Sequence, residues 1–282
     1  HLYHIEDVEQ TLPDNNLRCM HRVDDTMIFI GTSDGLCLLN AVDQTLNRID
    51  LNALTNYRSP KTDVSKIISL DENKIMVSTY TDGLYIYDYK ENIATHISKF
   101  DKRDAISDNY IFDVFKDVNG SVWIATFTGL NRFENNLAKF ITKSIYENGT
   151  LLSINYFLEM NDGNVLIGTE SGIKVFNTND ESIRDFKTFF KSKENYFESL
   201  YIYSFYLDTD SCLWVGTRDS GLYIYDIKSD KVIDVSEELD IKKLNHAVVR
   251  EMVCDEFGNF WVATNVGLCC INLKDNSYVF YN

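Results

Sequence analysis

The chain has 282 residues, 44% of them hydrophobic and 13% aromatic, with only 2 prolines, a composition that builds a packed core and excludes a disordered or collagen-like polymer. Lys and Arg number 27 against 43 Asp and Glu, so the formal charge of -16 repels phosphate backbones and anionic bilayers and argues against a nucleic-acid partner or insertion into a membrane. No window approaches the apolar length of a membrane span, and His1-Leu2-Tyr3-His4 lacks a signal-peptide layout; the chain reads as a soluble segment, compatible with trimming from a longer exported polypeptide.

In chain order, Leu2–Ile5 reads as an outer strand, Leu17–Met20 as an inner one, and Ile28-Phe29-Ile30-Gly31-Thr32-Ser33-Asp34-Gly35-Leu36 as a strand, a turn and the start of a third strand. That unit recurs around Thr79, Thr126, Thr169, Thr217 and Thr264, at separations of 47, 47, 43, 48 and 47 residues. Before each motif lies an apolar run such as Tyr110–Phe115, then a polar turn such as Lys116–Gly120. The residue before each Thr is Gly, Ala or Ser, small enough for a close neighbour, and a following Gly supplies positive φ. Third strands alternate (Leu84–Tyr87, Leu222–Tyr225), and a more polar fourth strand such as Thr95–Phe100 completes the unit.

Four strands in such a period predict an all-β propeller with no need of helices: six four-stranded blades, approximately 14–56, 57–104, 105–146, 147–194, 195–240 and 241–282. Residues 1–10 form one extra outer strand, and Ser277–Tyr281 is again a fourth strand. That orphan strand predicts a fragment of a seven-bladed ring, of the kind found in a tandem-propeller sensor, with an open edge that pairs with another copy.

The repeated Leu/Val-Trp-Ile/Val-Gly/Ala-Thr, clearest at Cys212–Tyr225 and Ser121–Phe133, resembles the two-component regulator propeller repeat over essentially the whole chain. The resemblance implies the periplasmic sensor region of a Bacteroides-type hybrid histidine kinase, with an oligosaccharide ligand and a homodimeric full receptor. It carries no ligand-binding residues, because its consensus is structural. Phe29, Met76 and Leu166 replace the motif Trp in three copies, and Ser78 replaces Gly.

The remaining chemistry is sparse. The turns Asp117–Trp123 and Asp255–Trp261 lack the sialidase Ser-x-Asp-x-Gly-x-Thr-Trp box, no Gly-x-Ser-x-Gly elbow or P-loop occurs, and catalysis is not expected. His1, His4, His21, His96 and His246 are scattered, and no Cys pair has ligand spacing, so neither metal nor cofactor is expected; Cys19, Cys37, Cys212, Cys254, Cys269 and Cys270 read as small hydrophobes. Loops joining fourth to first and second to third strands share one face of a propeller. The ligand-binding candidates there are Arg18, Arg58, Tyr80, Tyr110, Phe127, Tyr156, Arg218 and His246, with Asn16, Lys61, Asn109, Asn155, Tyr201, Asp219, Asn245 and Asn265 around them. Rings with amide and guanidinium donors suit a sugar, and Arg18, Arg58, Lys61 and Arg218 on an acidic protein favour an acidic one. A protein-interaction scaffold is the second reading and a glycan hydrolase or lyase the third.

Overall fold

A computed structural model describes residues 12–102, 105–134, 139–147, 149–160, 163–209 and 211–281. The expected outer strand at residues 1–10 lies outside the described residues. Six antiparallel sheets of four sequential strands are present, so the fold is a β-propeller of six blades. Blade 1 comprises β1 (Leu17–Arg22), β2 (Met27–Thr32), β3 (Gly35–Asn40) and β4 (Leu46–Ile49); blade 2 comprises β5 (Val64–Ser69), β6 (Lys74–Thr79), β7 (Leu84–Asp88) and β8 (Ile93–Ile97). Blade 3 holds β9 (Ile111–Lys116), β10 (Val122–Thr126), β11 (Gly129–Glu134) and β12 (Lys139–Lys143), followed by the small hairpin β13 (Tyr146–Glu147) and β14 (Thr150–Leu151). Blade 4 holds β15 (Ile154–Glu159), β16 (Asn164–Thr169), β17 (Gly172–Asn177) and β18 (Ile183–Asp185). Blade 5 holds β19 (Ile202–Leu207), β20 (Cys212–Thr217), β21 (Leu222–Asp226) and β22 (Lys231–Asp234), and blade 6 holds β23 (Val249–Cys254), β24 (Asn259–Thr264), β25 (Gly267–Asn272) and β26 (Tyr278–Tyr281). The chain forms two compact units, residues 1–153 with blades 1 to 3 and residues 154–282 with blades 4 to 6.

Burial explains the strand chemistry. The second strands of blades 2 to 5 are enclosed on both faces, and Ile75–Thr79 and Leu213–Thr217 are buried throughout, which demands near-continuous apolar or small residues. Within the first unit Phe29, Leu36, Val64, Ile67, Ile75 and Val77 join blades 1 and 2, and Leu70, Met76, Leu84, Ile111, Val114 and Ile124 join blades 2 and 3. In the second, Leu166, Val175, Ile202, Phe205 and Val215 join blades 4 and 5, while Trp214, Leu222, Val249, Phe260 and Val262 join blades 5 and 6.

The repeated Thr is a turn clamp. Its hydroxyl donates to the carbonyl of the turn Gly in all six blades, at 2.7–3.0 Å, and accepts an amide from inside the turn, as Thr217 does from Ser220 at 2.9 Å. All six turn glycines have positive φ; at Gly221 (φ +77) a Cβ would also press on the Leu244 carbonyl. The small residue before Thr admits the next blade, since a Cβ on Gly216 would lie 2.9 Å from the Cβ of Val249. The repeated Trp locks the preceding turn: the indoles of Trp123, Trp214 and Trp261 donate to Asp117, Asp208 and Asp255 at 2.8, 3.3 and 2.9 Å. Where Phe29 and Met76 replace Trp, the turn carboxylates Asp24 and Asp71 stand five rather than six residues before the motif position and cap amides of their own turn, Asp24 taking the Thr26 hydroxyl as well.

Two features depart from the strand-only expectation. Three single-turn helices, α1 (Leu51–Thr55), α2 (Phe186–Phe190) and α3 (Val235–Glu238), follow the fourth strands of blades 1, 4 and 5. Each begins with a buried apolar residue after an Asp, and Asp50 and Asp234 accept the amides of Ala53 and Ser236 as N-caps. The other departure is a register shift at the second residue of every first strand, described below. All six cysteines are unpaired, with burial raising Cys37 to about 12 and Cys19 and Cys269 to about 11.

Candidate functional site

One backbone bond recurs at the loop end of the blades. The amide just after the motif Thr donates to the carbonyl sixteen residues before that Thr: Ser33 to Asn16, Tyr80 to Asp63, Phe127 to Tyr110, Arg218 to Tyr201 and Asn265 to Val248, at 2.9–3.2 Å. The turn between second and third strands is thereby tied to the segment entering the first strand, and both offer side chains at the same end of the blade. Two residues further on, the first strand carries a β-bulge whose extra residue is Arg18, Ser65, Phe112, Asn155, Tyr203 or Arg250, in blade order. A bulge leaves its residue out of the ladder and re-aims its side chain. The face is therefore built from three positions of one repeat.

In the first unit these positions assemble a compact cluster. Arg18 donates through both Nε and a terminal nitrogen to Asp63, at 2.8 and 2.9 Å, and its guanidinium lies 5.5 Å from the centre of the Tyr80 ring. The hydrogen bond to Asp63 holds Arg18 above its ordinary pKa. Tyr80 meets Phe112 edge-on at 6.4 Å, and Tyr110 and Phe127 stand exposed beside it in sequence-equivalent positions of blade 3. Beneath them Lys66 and Asp113 pair at 3.4 Å, and His21 shares a 2.8 Å bond with Ser69, with burial and then Lys66 holding its pKa down. An open cleft of about 230 Å³ lies between the blade 1 turn and the α1 connector, lined by Asp34, Arg48, Asn52, Ser59 and Lys61.

In the second unit Arg218 stacks on Tyr201 at 4.9 Å, Tyr201 meets Tyr203 edge-on at 5.3 Å, and the Tyr201 hydroxyl donates to Asn155 at 3.4 Å. His246, at φ +61, places Nδ1 3.2 Å from the Asp219 carbonyl. The Tyr156 hydroxyl reaches past the blade 5 strand to donate to Glu251 at 2.7 Å.

Of the sequence candidates, Arg18 and Tyr80 touch in one cluster, with Tyr110 and Phe127 on the same rim; Arg218 belongs to a separate cluster in the second unit, with Tyr156 and His246 on its flanks. Arg58 is exposed in the connector before β5 and makes no bond with either cluster. Three chemical readings change. Arg18 is neutralised by Asp63 and offers no free cation. Asn109 is buried and structural, accepting from Lys99 through its side chain and from Gly83 through its carbonyl. Tyr156 has its hydroxyl committed. The residues missed were Phe112, Tyr203 and Arg250, although a signal existed: each bulge residue stands fourteen positions before its motif Thr. Among the described residues, no three of His, Cys, Asp and Glu converge to hold a metal ion. Among the described residues no helix is long and apolar enough to cross a membrane.

Comparisons with known proteins agree with this construction. Residues 105–128 and 196–219, at the heads of blades 3 and 5, match the model described as two-component regulator propeller. Histidine kinase P4 of Formosa agariphila is 25% identical over 271 residues, covering 92% of this chain and 19% of the kinase. The extracellular domain of BT4673 from B. thetaiotaomicron superposes with a TM-score of 0.67 at 21% identity, over 97% of this chain and 34% of that one. Streptogramin B lyase shares the fold at a TM-score of 0.67 and 10% identity, over 98% and 86% of the two chains. This chain thus spans about a fifth of the kinase and a third of the extracellular domain. It is a β-propeller that carries two-component regulator propeller repeats, matched in blades 3 and 5.

Proposed function

We propose that this propeller is the extracytoplasmic ligand-sensing part of a hybrid two-component regulator, in the periplasm, and that it binds an oligosaccharide released from a polysaccharide. The observation that carries the reading is the convergence of three repeat positions on one end of the blades, where rings, amides and guanidinium groups stand exposed on a rigid scaffold. Stacking faces plus directional donors are what a saccharide requires. The kinase activity lies elsewhere in the full chain, and the ligand signals by favouring one arrangement of a receptor homodimer.

Calorimetry and thermal-shift measurements against plant, animal and microbial oligosaccharides test the proposal; saturable binding lost on Tyr201→Ala supports it. A silent panel together with stoichiometric co-purification of a polypeptide supports the scaffold reading instead. Turnover of a glycan by the isolated chain supports the hydrolase or lyase reading, against which stands the engagement of Asp63 and Glu251 by Arg18 and Tyr156.

A further inference from the structure

Arginines on an acidic protein normally find carboxylates, and three of those in the described residues do. Arg18 pairs with Asp63, Arg22 with Asp25 and Arg132 with Glu134, while Arg48 and Arg184 donate to the Leu12 carbonyl and to Asn164. Among the described residues Arg58, in the connector before β5, has no ion-pair partner, and neither do Arg218 and Arg250. Arg218 and Arg250 are both exposed, and among the described residues neither has a carboxylate within ion-pair distance or a side-chain hydrogen bond. They also belong to one arc of the second unit. Arg218 lies on the Tyr201 ring, Tyr201 meets Tyr203, and the residue after Tyr203, Ser204, donates to the carbonyl of Val249, the residue before Arg250, at 3.0 Å. Tyr203 and Arg250 are thus neighbouring bulge residues on adjacent inner strands. The carboxylate next to Arg250 in sequence, Glu251, accepts the Tyr156 hydroxyl, and Asp219 accepts from Ser220.

A chain of net charge -16 repels anions in general, so two guanidinium groups with no carboxylate partner beside a tyrosine pair make this spot locally selective for one. A guanidinium offers a planar fork of donors that matches carboxylate and sulfate alike, and stacking on Tyr201 pre-orders the Arg218 fork. Accepting the saccharide-sensor reading above, we infer that its ligand carries anionic substituents, carboxylate or sulfate, held by Arg218 and Arg250 while a sugar face stacks on Tyr201 or Tyr203.

The test uses the 282-residue chain with length-matched oligogalacturonates, their methyl esters, sulfated galactan oligosaccharides and neutral galacto-oligosaccharides, titrated by calorimetry at low and high salt. Expected is binding of one anionic series at least about tenfold tighter than its neutral counterpart, weakened by salt, and reduced about tenfold by Arg218→Gln and by Arg250→Gln with unchanged melting temperature. Arg22→Gln, at the opposite end of β1, leaves the affinity unaltered. The carboxylate and sulfate series identify which anion is recognised. Neutral and anionic saccharides binding equally, or anionic binding that survives both substitutions, overturns this inference and leaves the sensor reading standing. Failure of every saccharide to bind overturns both.

Discussion

Replacing Gly216 with Ala probes the contact that spaces blade 5 from blade 6. Its Cβ would lie 2.9 Å from the Cβ of Val249, would press closer on that residue's Cγ1, and would collide with the Ser204 hydroxyl that bonds the Val249 carbonyl. Val249 is fully buried, so it has little room to yield. Overpacking of this kind costs about 1–3 kcal/mol. Gly to Ala also stiffens the unfolded chain, which returns about 0.4–1 kcal/mol, and the net loss is about 1–2 kcal/mol. Val249→Ala alone removes two buried methyl groups and costs about 2 kcal/mol. If the clash is with Val249, the double variant is less destabilised than the two losses together by about 1 kcal/mol. Urea unfolding of the four proteins, followed by tryptophan fluorescence at constant m, measures this cycle. A neutral Gly216→Ala, or additive losses, would refute the claim that the glycine exists to admit the neighbouring blade.

Two further predictions concern titratable groups. The Trp261 indole, with Asn259, lowers the Asp255 carboxyl to about 2. A depressed folded pKa adds stability above the unfolded carboxyl value near 3.9, and the gain vanishes as pH falls towards 2. The melting temperature of the native protein should therefore drop more steeply between pH 4 and pH 2 than that of Asp255→Asn, and parallel curves would contradict the turn-lock assignment. Burial raises the Cys37 and Cys269 thiols to about 12 and 11, so iodoacetamide at pH 8 leaves both unmodified in the folded protein and alkylates them in urea; rapid native labelling, read by peptide mass spectrometry, would show the cores around them to be open.

Much of the site could be read from the period once its geometry is known. Arg18, Tyr80, Tyr110, Phe127 and Arg218 were legible as loop residues because motif spacing alone says which loops share a face. Phe112, Tyr203 and Arg250 were not, since alternation assigns a strand residue to a sheet face and a bulge breaks that alternation at one position. The helices escaped for a related reason. Asp50-Leu51 and Asp234-Val235 carry a cap and a buried anchor, yet a single turn is too short to show a helical period.

By itself the sequence determined six repeats, four strands in each, and the small residue, Thr and Gly that shape every motif turn, because these follow from local sterics and hydrogen bonding and recur at fixed spacing. Charge pairing was decided only by the tertiary structure. Arg18 and Arg218 look alike in the sequence, each a loop-end arginine with an Asp within four residues. Folding brings Asp63, forty-five residues away, onto Arg18 and leaves Arg218 with only an aromatic face, because a long-range partner is chosen by blade packing and not by neighbours along the chain.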